Sequence, residues 1–164
     1  MEIAFEKMKI HHSKEVIDIY NYYVENSTAA FPTVPQPEER CKLFLNIGKN
    51  YPVYVIKEKN KDKVIGFCFL GPYSLHDSFN KTAAVTYFID HNYIGMGVGR
   101  QCLKRLELDA KSMKIDKLVA DISSENSRSI EFHKKNGFSI VGQLNDIGNK
   151  FSRSFGVIYM IKDI

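Results

Sequence analysis

Residues 82–110 read TAAVTYFIDHNYIGMGVGRQCLKRLELDA, and this stretch decides how the chain folds. Thr82 to Ile89 is apolar and rich in strand formers. Gly95, Gly97 and Gly99 then stand at alternate positions, and Cys102, Leu103, Leu106 and Ala110 follow at the spacing of a helix with one buried face. A strand, a glycine loop and a helix in that order can turn backbone N–H groups toward one point, where the helix dipole adds positive potential. Ile94, Gly95, Met96, Gly97, Val98, Gly99 and Arg100 therefore read as an anion cradle, with Arg100 at the helix start placed for phosphate. A Rossmann fingerprint would need glycine where Arg100 stands. A Walker loop would need Gly-Lys-Ser/Thr where Arg100, Gln101 and Cys102 occur.

Outward from this unit the elements are short and punctuated by single Gly and Pro residues. Ile3 to Met8 reads as a first strand, and Ser13 is placed to cap a helix carrying Val16, Ile17, Tyr20, Tyr23 and Val24. Pro37, Glu38 and Glu39 look like the first turn of a second helix ending near Gly48. Tyr51 to Lys57 and Lys63 to Leu70 read as strands joined by the charged segment Glu58 to Asp62. Leu118 to Ile122 is a further strand, Ser127 to Asn136 a helix stopped by Gly137, and Phe138 to Leu144 and Val157 to Ile161 are closing strands. The prediction is α/β: a mixed central sheet of about seven strands flanked by about four helices, in one domain spanning residues 1–164.

The chain has 164 residues, 44% of them hydrophobic, enough for one sizeable core. Its 23 Lys and Arg exceed 19 Asp and Glu by four. Up to Asp90 there are 11 basic and 11 acidic residues, so residues 91–164, with 12 and 8, carry the whole +4. An anionic ligand is expected in that half, and the modest excess argues against nucleic acid as partner. The apolar stretch Val64 to Leu75 is broken by Gly66, Gly71 and Pro72, so no membrane span is expected. Cys41, Cys68 and Cys102 are isolated and the first residues lack a secretory pattern, so a reducing cytoplasm is the expected location. Cys102 follows the glycine loop at core spacing, which favours a small buried side chain over a nucleophile. His11, His12, His76 and His91 show no metal-ligand spacing, and no metal is expected.

Further along stand Asn126, Ser129, Phe132, His133, Gly137 and Phe138, on and around the helix after the next strand. Paired with the glycine loop, they resemble the GNAT superfamily of N-acetyltransferases, whose acetyl-CoA site has a Gln/Arg-x-x-Gly-x-Gly loop and a later Asn…Tyr/His…Gly-Phe element. Ile19 to Phe31 (IYNYYVENSTAAF), Gly71 to Tyr73 and Ile147 to Arg153 (IGNKFSR) are similar to segments of the phosphinothricin and methionine sulfone acetyltransferase branch. The likeness covers nearly the whole chain.

That resemblance implies a GNAT-like fold and acetyl-CoA as co-substrate. Backbone groups of Thr86, Tyr87 and Phe88 would line the acetyl and pantetheine arm, residues 94–100 would hold the pyrophosphate, and Asn126 would hydrogen-bond the coenzyme. His133 would protonate the departing thiolate. Phe31 and Tyr73 would border a pocket for a small-molecule amine, and a homodimer is expected because the branch commonly forms one. The chemistry implied is direct attack of a neutral amine on a thioester.

Four positions depart from the branch. Ala84 stands where the branch has a glutamate serving as base, which leaves the base open between water relayed through Thr86 or Tyr73 and a different substrate. Ile94 replaces a polar residue, and Ser154 and Gly156 replace Trp and Asp. Two other readings accordingly stand beside the amino-acid acetyltransferase: an acyl-CoA-binding module with little catalysis, and an enzyme for a polyamine, aminoglycoside or protein amine.

Overall fold

The computed structural model describes residues 1–164. Its seven strands are β1 (Ile3–Lys7), β2 (Val53–Glu58), β3 (Val64–Pro72), β4 (Thr82–Ile89), β5 (Lys117–Ser123), β6 (Ser139–Lys150) and β7 (Arg153–Asp163). They form one sheet in the order β1-β2-β3-β4-β5-β7-β6. Four helices flank it: α1 (Ser13–Asn26), α2 (Cys41–Ile47), α3 (Val98–Ser112) and α4 (Ser127–Lys135). No helix is long and apolar enough to cross a membrane.

The helices cover both faces, which explains why eight consecutive residues of β3, Val64 to Gly71, are buried without alternation. On one face Val16, Ile17 and Val24 of α1 and Phe44 of α2 pack on Val55, Phe67 and Phe69. On the other, Cys102, Leu106 and Ala110 of α3 pack on Cys68, Ala83, Val85, Leu118 and Met160. Strand β4 divides between them, with Tyr87 and Ile89 against the α3 core and Phe88 against the α1 core.

Every neighbouring pair is antiparallel except β4 and β5, which α3 joins as a parallel crossover. This pair matches only Thr82, Ala83 and Ala84 with Lys117, Leu118 and Val119. Beyond them the strands part, while β4 keeps its pairing with β3 through Ile89 and β5 keeps its pairing with β7 through Ser123. The sheet therefore contains a wedge, open toward the N-terminus of α3.

Three local expectations change. Ser13 does not cap α1: a 3₁₀ turn at Ile10–His12 feeds the helix, and the Ser13 N–H and Oγ both donate to the Ile10 carbonyl. The second helix opens as a 3₁₀ turn, Glu38–Arg40, before α2 proper. The closing strands run well past their expected ends and meet at Phe151 and Ser152, whose φ values of 52° and 57° make a two-residue turn of the twist a hairpin requires.

Candidate active site

The wedge opens into a cavity of about 770 Å³. Its floor is Val85 to Ile89 of β4 and Ala120 to Ser123 of β5, one end is closed by the glycine loop and α4, and the other by the loop after α1. Because β4 has no partner on this side beyond Ala84, its main-chain groups face the cavity as a free strand edge.

The glycine loop is built as its sequence demands. Gly95 and Gly97 have φ of 85° and 80°, a region that other residues enter only at a cost, and Gly97 caps α3. A Cβ on Gly97 would meet nothing within 4 Å, so the space beside it belongs to no other part of the chain. Gly99 lies inside the first turn of α3, where its Cβ would make ordinary contact with Phe132. The cradle fits a phosphate-bearing guest: two turned glycines, a helix N-terminus and an open volume. Arg100 lines the cavity, as expected, and so does Arg128 of α4, whose Nη2 lies 3.3 Å from the Cβ position of Gly95.

Of the residues singled out by sequence, Phe31, Thr86, Tyr87, Phe88, Ile94, Gly95, Gly97, Val98, Gly99, Arg100, Asn126 and His133 line this one cavity. Met96 points out and is 50% exposed. Tyr73 stands outside the lining, 53% exposed, because β3 ends at Pro72 and its ring rests on Phe79. Ala84 also stands outside, since it belongs to the last matched pair before the wedge. The Asn126 side-chain oxygen accepts from Ser129 N at 3.1 Å and caps α4, leaving its amide nitrogen as the group for a ligand.

His133 is 3% exposed and makes two defining contacts. Its Nδ1 lies 2.7 Å from the Ser129 carbonyl, an acceptor only, so Nδ1 carries the proton. Nε2 is then an acceptor in the neutral ring and takes a short hydrogen bond from the Tyr87 hydroxyl. Burial pushes the His133 pKa below the ordinary value and the Tyr87 pKa well above its own, which favours the neutral pair. Sequence reading treated Tyr87 only as backbone lining. The structure bonds its side-chain hydroxyl to His133.

The loop after α1 is held from several sides. Thr28 Oγ1 and Ser123 Oγ lie 2.6 Å apart, and Asn21 clasps Gln36 through both its amide atoms at 2.7 and 2.9 Å. The buried Lys150 ammonium donates to the carbonyls of Ser27 and Ala30 at 2.7 and 2.8 Å. Phe31 stacks on Phe155 with ring centres 6.1 Å apart. Ser154 bonds to Asp146 at 2.9 Å, and Gly156 N donates to Ser124 Oγ at 2.9 Å. Ser154 thus serves the β6–β7 hairpin, Gly156 ties β7 to the turn after β5, and both lie outside the cavity lining.

Away from the cavity, Glu6, His11 and His12 bring potential ligand atoms within 4.8 Å of one another. Glu6 is paired with Lys57 at 2.9 Å, and His12 Nδ1 accepts from Lys9 N at 3.0 Å, which leaves the proton of the neutral ring on Nε2.

A parted parallel pair with a glycine loop at its mouth has a known counterpart: the chain matches the Acetyltransferase (GNAT) family over residues 16–138 and belongs to it. It is therefore an acetyltransferase-family enzyme. Over 147 residues it is 32% identical to L-methionine sulfoximine/L-methionine sulfone acetyltransferase of Salmonella typhimurium, covering 88% of this chain and 85% of the relative. It is 26% identical to phosphinothricin N-acetyltransferase of Streptomyces coelicolor, covering 89% and 87%. Among solved structures, yncA of Salmonella typhimurium, determined with its cofactor acetyl-CoA, superposes with a TM-score of 0.88 at 25% identity, covering 98% of this chain and 93% of that one.

Proposed function

We propose that this enzyme acetylates the amino group of a small amino-acid-like substrate, of the phosphinothricin or methionine sulfone type, by direct transfer from acetyl-CoA. The single observation that carries the reading is the wedge: a free main-chain edge, a glycine cradle and the Tyr87–His133 pair share one cavity. Its relatives' names point to the same substrate class.

Acetyl-CoA, when bound, supplies the acetyl group as an activated thioester. Gly95 to Arg100 bind its pyrophosphate through main-chain N–H groups, with Arg100 and Arg128 as flanking cations. The β4 edge at Val85 to Phe88 orients the amide-bearing arm in place of the missing strand. The Tyr87 hydroxyl, positioned by its bond to His133 Nε2, leaves that bond to give its proton to the departing sulfur. The loop from Ser27 to Phe31, pinned by Lys150, forms the acceptor wall with Phe69. No residue of the chain need form a covalent intermediate.

The test is acetyl-CoA-dependent thiol release by the purified protein across amino acids, phosphinothricin, methionine sulfone, polyamines, aminoglycosides and short peptides, with coenzyme hydrolysis subtracted. Release confined to small amino acids supports the reading. Silence across the panel in protein that binds acetyl-CoA favours the binding module, the reading that Ala84 motivates. A homodimer belongs to the same proposal. Along β6, at the sheet edge, Ile140, Val141, Leu144 and Ile147 are exposed, and sedimentation decides whether a second copy covers them.

A further inference from the structure

We propose that Asp121 is the general base of the reaction, taking on β5 the proton that Ala84 cannot take on β4; the inference rests on the proposed function. Among the residues lining the cavity, Asp121 is the only carboxylate. It is exposed, and none of the chain's ion pairs engages it. The cavity's other charged side chains are the cations Arg100, Arg128 and Lys135, its other titratable groups are His133 and tyrosines, and Tyr159 lies opposite Asp121 on β7.

Register places this carboxylate at the gap. Ala84 pairs with Val119, and continuing the same parallel register would set Thr86 beside Asp121. The strands have parted by then, so Thr86 and Asp121 stand on opposite sides of the wedge. Their side chains share a face. On β5, Leu118, Ala120 and Ile122 belong to the α3 core, whereas Ser123 bonds to Thr28 beyond α1, so Asp121 lies on the α1 side with Ser123. On β4, Ala83 and Val85 belong to the α3 core, which puts Ala84 and Thr86 on the α1 side as well. The loop after α1 borders that side of the cavity.

The acceptor amine arrives as an ammonium ion and must lose a proton before it can attack. The Asp121 carboxylate takes that proton: one N–H bond breaks, its electron pair stays on nitrogen, and an O–H bond forms. Being exposed, Asp121 returns the proton to water. When the new C–N bond forms and the C–S bond breaks with its pair on sulfur, sulfur takes the Tyr87 hydroxyl proton, and the second proton lost by nitrogen restores that hydroxyl. Overall, one ammonium and one thioester give one amide, one thiol and one proton. A cationic amine also meets its only opposite charge in the cavity at this carboxylate.

Asp121→Asn keeps the shape and removes the base. At pH 7 its turnover of the acceptor accepted by the wild type is expected to fall by about 100-fold or more, with the deficit shrinking as pH rises and the free amine becomes abundant. Calorimetric titration with acetyl-CoA should give wild-type affinity, which also shows that the variant is folded. Calorimetry of the acceptor should show a much smaller change than turnover does. A loss below about threefold overturns the assignment, as does a loss that is the same at every pH or appears only in KM. A wild type inactive on every amino acid overturns the proposed function and this inference together. Activity in the wild type with an unaffected Asn variant overturns this inference alone.

Discussion

The hydroxyl of Tyr87, on β4, donates to Nε2 of His133, on α4, and the same imidazole presents Nδ1 to the carbonyl of Ser129 one turn back. The proton order in this chain is set by the Ser129 carbonyl, which cannot donate. Tyr87→Phe removes the hydroxyl but keeps the ring against Phe132. Turnover is expected to drop by about 100-fold, within the usual range for a positioned acid, with acetyl-CoA affinity unchanged. Steady-state rates beside calorimetry check this, and a wild-type rate removes the pair from the mechanism.

At Gly97 two penalties coincide. Any side chain must adopt the left-handed φ of 80°, at a cost of about 1–2 kcal/mol, and it occupies the open volume beside the loop. Gly97→Val is expected to abolish measurable acetyl-CoA binding while lowering stability only modestly. Calorimetry and a thermal melt separate the two effects.

Lys150 is a buried cation without a carboxylate partner, and burial lowers its pKa. Lys150→Met leaves the carbonyls of Ser27 and Ala30 without their donor, a cost of about 1–3 kcal/mol for buried groups. The loop bearing Phe31 should loosen, raising KM for the acceptor more than KM for acetyl-CoA. Kinetics with each substrate varied in turn read the difference.

Burial lowers the pKa of both His133 and His12, and for His12 the neighbouring His11 acts in the same direction. The unfolded chain then takes up protons at a pH where the native chain does not. Stability present above about pH 6.5, the ordinary histidine value, is expected to fall as the solution is acidified toward the lowered values. Melting temperatures at pH 8, 7, 6 and 5 should decline over the lower half of that range. His133→Gln should reduce the decline, and an unchanged slope would exclude His133 as a contributor.

What could be read along the chain was what local chemistry writes there. Thr82 to Ile89, the glycines after it and the core face of α3 are fixed by period and backbone freedom, and each took its expected place. The length of the last hairpin was hidden, because much of β6 is exposed and does not alternate, and the turn at Phe151 and Ser152 uses no glycine or asparagine. Within the site, the turned glycine loop was legible and its neighbours were not. Arg128 meets Gly95 only because α4 folds back beside the loop. Tyr87 was expected to serve through its backbone alone, and only the fold brings its hydroxyl to His133. Asp121 matters because two strands separate one register pair before it, a tertiary event that no spacing records.

The parting of β4 from β5 also bears on how such a chain changes over generations. Amides and carbonyls do not mutate: every residue except proline offers the same N–H and C=O at the same interval. A docking edge made of main chain therefore survives wholesale replacement of its side chains, and the lining drawn from Phe31, Phe69 and Asp121 is free to vary around it. One wall of the cavity is indifferent to substitution and the other is tuned by it, so a lineage can exchange the molecule it modifies while keeping the donor on which it draws.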